Sequence, residues 1–202
     1  MSAILILAAG ASARMGQPKQ LLRFRGKTLL EHSVSAALAA DATHRLAVLG
    51  ARFEEILPVR QAGLPETAES AIETMVNPDW DEGMASSIRL GLRHLLEKEP
   101  ELPAVAVMLC DQPFVTPELL NQLLDAQQQT AAPIVASAYG GTLGVPAIFA
   151  RETFPQLLSL HGDRGAKAIF PNYAGRIASV PFPEGAIDID TLEDYRRLTF
   201  VV

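Results

Sequence analysis

The chain opens on AILILAA, an unbroken apolar run from Ala3 to Ala9, and passes straight into GASARMGQPK. A short continuous apolar run that ends in a glycine loop is the pattern of a β-strand buried on both faces. AVAVMLC, Ala104 to Cys110, repeats the pattern and ends on Asp111. Apolar residues at helical spacing predict helices at Thr28–Ala40, Phe53–Arg60 (interrupted by Pro58), Glu82–Lys98, Pro117–Gln129 with Thr116 as N-cap, Arg151–Leu158, Arg164–Phe170 and a last one from Thr191. Further strands are expected at Arg45–Gly50, Ala71–Val76, Pro133–Tyr139, Val145–Phe149 and Ile177–Pro181, with Gly140, Gly141 and Gly144 loosening the chain before the fourth of these. Strand and helix alternate, which implies an α/β fold: a mostly parallel sheet covered by helices on both sides, with ligands in the crevice beyond the carboxyl ends of its strands. No linker, repeat or low-complexity tract divides residues 1–202, so a single domain is expected.

Composition narrows the function classes. With 202 residues, 49% of them hydrophobic, the chain can bury a large core. No apolar run nears the ~20 residues that span a bilayer, and no basic region precedes the first one, so a soluble cytoplasmic protein without a membrane partner is expected. The single cysteine, Cys110, can make no internal disulfide, and no CxxC or HxxxH spacing offers a zinc site. A formal net charge of −6 argues against nucleic acid as a partner. An anionic ligand would have to be held by local cations.

Such cations stand in the first loop. The small residues from Ala8 to Ala13 allow backbone amides to approach a ligand, phosphate being the natural occupant, and Arg14 and Lys19 are placed to compensate its oxygens. The bland alternative is a tight strand-to-helix turn with exposed cations. No GK[ST] follows the last glycine and GxGxxG is absent, which disfavours a Walker A loop and a dinucleotide fold.

At this point LAAGASARMGQPKQLL resembles the signature of the nucleotidyltransferases related to molybdenum cofactor cytidylyl- and guanylyltransferases, approximately LAAGxSxRMGxPKxLL. The resemblance runs from about Ile4 to Tyr195 and implies a Rossmann-like three-layer sandwich of the nucleotide-diphospho-sugar transferase type. It also implies that Leu7, Ala8, Ala9, Gly10, Arg14 and Lys19 wrap a nucleoside triphosphate.

Asp111 sits where the sheet's crevice should hold phosphates, and IDIDTLEDY offers Asp188 and Asp190 on one side of an extended segment. A few carboxylates plus phosphate oxygens are how Mg²⁺ is bound. Equally, Asp111 can be a turn residue and Asp190 a helix N-cap. DQPFVTPELL is similar to the family's DxP segment and DIDTLEDY to its DIDTPEDY, with Leu192 for the usual proline. The resemblance therefore implies Mg²⁺ on Asp111 and Asp190.

NPDWDEGMASSIRLGL is similar to the segment that contacts base and ribose, which implies nucleotide-binding roles for Gly83 and Ser87. By composition alone Ser86 and Ser87 are first-turn residues of an amphipathic helix, and Trp80, the only tryptophan, is either a ring-stacking residue or a core or staple aromatic. LGVPAIF and HGDRGAK resemble the GxPxxF and GDxGAR elements on the acceptor side, implying Gly144, Pro146 and Asp163 as acceptor-binding residues. Asp163 can also be an N-cap. Val145 departs from the histidine common there, Lys167 replaces an arginine, and His161 has no spaced partner.

The reaction implied is transfer of a nucleotidyl group, CMP from CTP in the first instance, to the terminal phosphate of a molybdopterin acceptor, with Arg14, Lys19 and Asp111 as catalytic residues and pyrophosphate released. A molybdoenzyme or its accessory protein is a further partner on this reading. The rivals are a GTP-dependent or other small-metabolite nucleotidyltransferase and, in another class, a non-catalytic carrier that delivers the molybdenum cofactor.

Overall fold

The computed structural model describes residues 2–12, 15–63, 72–187, 189 and 191–200. Strand β1 (Ala3–Ala8) is followed by a small hairpin of β2 (Arg23–Phe24) and β3 (Lys27–Thr28), then by α1 (Leu29–Ala39), β4 (His44–Leu49), α2 (Phe53–Gly63), β5 (Glu73–Val76) and α3 (Met84–Lys98). The second half contains β6 (Ala104–Leu109), α4 (Pro117–Thr130), β7 (Ile134–Tyr139), β8 (Thr142–Ala150), α5 (Phe154–Leu158), β9 (Ile177–Pro181) and α6 (Leu192–Phe200).

Seven strands form one sheet in the order β5-β4-β1-β6-β8-β7-β9. Only β8 runs against its neighbours. The apolar β1 is central, as a strand buried on both faces must be. Its even residues Ile4, Ile6 and Ala8 pack with Leu30 and Val34 of α1, Ile56 of α2 and Leu120 of α4. Its odd residues Ala3, Leu5 and Leu7 pack with Ile88 and Leu92 of α3 and Leu157 of α5. Complete burial of each large apolar side chain contributes about 1.5–3 kcal/mol, so these two faces carry most of the driving force. The expected three-layer α/β arrangement is borne out.

Local chemistry sets the helix starts. Thr28 and Glu31 form a reciprocal capping box on α1, and Thr116 Oγ1 accepts from Leu119 N at 3.3 Å on α4. On α6 the cap is Thr191, whose N–H and hydroxyl donate to Asp194 Oδ2 while Asp194 N donates back.

The structure departs from expectation after β7. Gly140 and Gly141, both at positive φ, make a two-residue turn, so the chain reverses at once and β8 starts at Thr142. Ala136 pairs with Ala147 but Ser137 pairs with Gly144, leaving Val145 and Pro146 as a bulge. A proline lacking an N–H suits such a position. The segment read as a helix over 164–170 is a 3₁₀ helix at Ala166–Tyr173.

Candidate functional site

After α1 and α2 the chain has built β4 and β5 on one side of β1, and it then crosses to add β6 on the other side. The crevice at such a crossover opens at the carboxyl ends of β1 and β6. A cleft of about 400 Å³ lies there, lined by Leu7 to Ala11, Lys19 and Gln20 from the first loop and by Leu109, Cys110 and Asp111 from the end of β6. The rest of its lining comprises Trp80, Asp81, Gly83, Met84 and Ser87 before and within α3, together with Asp163.

Lys19 and Asp111, 92 residues apart, meet as an ion pair in this cleft, Nζ donating to Oδ2. The other oxygen, Asp111 Oδ1, is buried without a hydrogen-bond partner, and so is Gln112 Oε1 beside it. Buried acceptors left in that state are costly, about 1–3 kcal/mol each, unless something else supplies the missing contact.

Two buried amides organise the walls. Gln20 is fully buried, and its Nε2 donates to Ala8 O at 2.8 Å and Gly10 O at 3.0 Å; Ser12 Oγ accepts from Lys19 N at 2.9 Å. The loop is thereby tied down around carbonyls, which frees its bare outer side. A Cβ built at Gly10 would meet nothing within 4 Å and the residue's φ is not positive, so the fold itself does not require glycine there. Asn77 donates to Ser86 Oγ at 2.8 Å and Ser87 Oγ at 2.9 Å. Ser86 Oγ donates to Gly83 O at 2.8 Å, whereas the Ser87 hydroxyl, lining the cleft, accepts from Asn77 and keeps its O–H for a ligand.

The α3 side of the cleft is clasped by Arg89, which pairs through Nη1 and Nη2 with Glu82 at 2.8 and 2.6 Å and also donates to Leu160 O at 2.6 Å. Those Arg89 hydrogen bonds hold the Glu82 carboxyl down at about 2. The clasp seats the Gly162–Asp163 loop on Gly83, whose φ of +116° and lack of a side chain the contact requires: a Cβ would fall 2.5 Å from Asp163 Oδ1. Asp163 is no helix cap, since the following 3₁₀ helix is preceded by Gly165. Burial pushes the Cys110 thiol up to about 12, with the Asp111 charge adding to the effect, so it is no nucleophile.

Of the residues singled out in the sequence, Leu7, Ala8, Ala9, Gly10, Lys19, Gly83, Ser87, Asp111 and Asp163 are brought together in this one cleft. Gly144 and Pro146 are not among its lining residues; Gly144 pairs with Ser137 and Pro146 lies in the adjoining β8 bulge, which connects to the cleft through Gln112 Nε2 donating to Val145 O at 3.0 Å. Arg14, Asp188 and Asp190 lie outside the described residues. His161 is exposed near Glu82, 3.9 Å away. Gln20 and Asn77 escaped the sequence reading. Their only signal there is a polar amide at the inner edge of each motif, PKQLL and NPDW.

The profile of the family described as MobA-like NTP transferase domain matches residues 4–177. The chain belongs to this family of nucleotidyltransferases. PucB, the purine catabolism protein of Bacillus subtilis, is 28% identical over 95% of this chain and 92% of its own length. A probable molybdenum cofactor guanylyltransferase of a Nostoc species is 26% identical over 94% and 86%, and the nicotine blue oxidoreductase of Paenarthrobacter nicotinovorans 27% over 96% and 94%. Among solved structures, Rv0371c of Mycobacterium tuberculosis is 31% identical with a TM-score of 0.79 over 98% of this chain and 96% of its own. Its manganese complex is 28% identical, with a TM-score of 0.77 over 100% and 99%.

Among the described residues of this MobA-like chain no three His, Cys, Asp or Glu side chains cluster to enclose a metal. A hard divalent cation shared with phosphate needs fewer protein ligands, and oxygen donors only. The unpartnered Asp111 Oδ1 satisfies that chemistry. No helix among the described residues is long and apolar enough to cross a membrane.

Proposed function

We propose that this chain transfers a nucleoside monophosphate, CMP from CTP, to the terminal phosphate of a molybdenum-bearing molybdopterin. The observation that carries the reading is the Lys19–Asp111 pair, which joins the glycine loop to the end of β6 across one cleft. The amides of Ala8 to Ala11 and the Lys19 ammonium receive the triphosphate, with Arg14 as a second cation. Gly83 and the free proton of Ser87 face base and ribose. The acceptor enters past Asp163, Gly144 and Pro146.

An acceptor phosphate oxygen attacks the α-phosphorus, the α–β anhydride bond breaks, and pyrophosphate leaves with its negative charge compensated by Lys19. A phosphate monoester, with a second pKa of about 6, is largely dianionic at neutral pH and needs no general base. That agrees with a cleft whose only thiol is protonated. The protein's contribution is then alignment and charge stabilisation. Mg²⁺, held by Asp111 with Asp190, would polarise phosphate oxygens when bound.

The Nostoc relative favours GTP as the second reading. Pyrophosphate release, measured with each of the four triphosphates, Mg²⁺ and the acceptor, separates the two, since only the cognate base supports turnover. D111N should lower turnover by about 100-fold or more while leaving the melting transition cooperative. Unchanged turnover would remove Asp111 from the chemistry. Nucleotide binding without pyrophosphate release would favour the non-catalytic carrier of the molybdenum cofactor.

A further inference from the structure

Trp80 belongs to none of the apolar clusters of the core, and 37% of its surface is exposed. Three large apolar side chains are exposed among the described residues, and two of them, Trp80 and Met84, stand on the same cleft wall. Scattered single apolar residues need no explanation, but two at the mouth of a concave polar site do.

The backbone that carries Trp80 is held in place. Gly83 N donates to Trp80 O at 3.1 Å, and Asp79 N donates to Asn77 Oδ1 at 3.0 Å, so the turn bearing Trp80 is rooted in the buried Asn77 that also orients Ser87. Directly beyond β4, the missing side chain of Gly50 leaves room for Trp80 Cβ. A Cβ on Gly50 would lie 2.6 Å from Trp80 Cβ and 2.7 Å from Ala9 Cβ. The missing side chain lets Trp80 settle against the carboxyl end of β1, where the first loop begins.

We infer that Trp80 is a stacking platform for the planar base of the bound nucleoside triphosphate, and that Gly50 is the residue that positions it. The inference rests on the nucleotidyltransferase reading above. An exposed aromatic side chain on a fixed turn, in the same cleft as the Ser87 hydroxyl, matches a ring that is flat on its faces and polar at its edge. The flat ring of the acceptor is the other possible source of such a surface, and the experiment separates the two.

Because the chain has one tryptophan, its emission reports on Trp80 alone. The native protein is titrated with each triphosphate, with inorganic tripolyphosphate, which has no base, and with a free pterin, without acceptor turnover. Binding is followed in parallel by equilibrium dialysis. The triphosphate that binds should quench the emission saturably, whereas tripolyphosphate should compete for the site and leave it unquenched. W80A should weaken nucleotide binding roughly ten- to hundredfold with tripolyphosphate affinity unchanged, and W80F should restore most of it. G50A should resemble W80A and red-shift the emission. A triphosphate that binds without quenching, or quenching by the pterin alone, overturns the platform while leaving the transferase reading in place. Failure of every triphosphate and of tripolyphosphate to bind overturns both.

Discussion

Replacing Gln20 tests how the first loop keeps its shape. The native amide is fully buried and donates to Ala8 O and Gly10 O. In Q20A both acceptors lose their donor, at about 1–3 kcal/mol for each that stays dry. Gly10 is exposed and its carbonyl can find water, whereas Ala8 is buried, so a total of roughly 2–4 kcal/mol is expected once lost packing is included. For a chain of this length that corresponds to about 5–15 °C in melting temperature. Q20E separates packing from hydrogen bonding, since it keeps the volume but turns oxygens toward two carbonyl oxygens. At pH 8 it should be at least as destabilised as Q20A. Burial and the facing carbonyls raise the introduced carboxyl's folded pKa. Its penalty is therefore present above that pKa and fades as pH falls toward the ordinary carboxylate value, where the protonated form can donate one bond. Urea denaturation at pH 8 and pH 5 measures both effects. If Q20A and Q20E both melt within about 2 °C of the native protein, the loop is not held by this amide and the argument for its preorganisation fails.

G10A should leave stability within about 0.5 kcal/mol of the native value, because the added Cβ meets nothing, yet lower tripolyphosphate affinity by about tenfold or more. Calorimetric melting paired with a binding titration checks this, and unaltered affinity would show that the loop's bareness serves no ligand. The Glu82–Arg89 clasp has a pH signature. Glu82 titrates in the folded state at about 2 against an ordinary 4.5, so its stabilisation is complete above about 4.5 and disappears as pH falls toward 2. E82Q should flatten the stability curve across that window in denaturant titrations from pH 7 to pH 3, and identical slopes would refute the assignment.

Much of this protein was legible in neighbouring residues. The apolar runs at Ala3 and Ala104 marked the central strands, Thr116 marked a helix start, and LAAGASARMGQPK with DQP marked the two lips of the cleft. These signals are local, because strand and helix periodicity and capping depend on residues a few positions apart. Other features rest on partners distant in the chain. The reversal of β8 and its bulge took Gly144 and Pro146 out of the cleft lining, and a turn of two glycines can be read as slack until the strand it returns is seen to pair. Gln20 looked like one polar residue in a loop until Ala8 and Gly10 closed around it, and Gly50 carried no message before Trp80, 30 residues on, came to rest against it. Local sequence sets what each segment can be. Which side chains then share a buried hydrogen bond or a missing Cβ depends on strand order, and strand order is decided only when the whole sheet closes over its two cores.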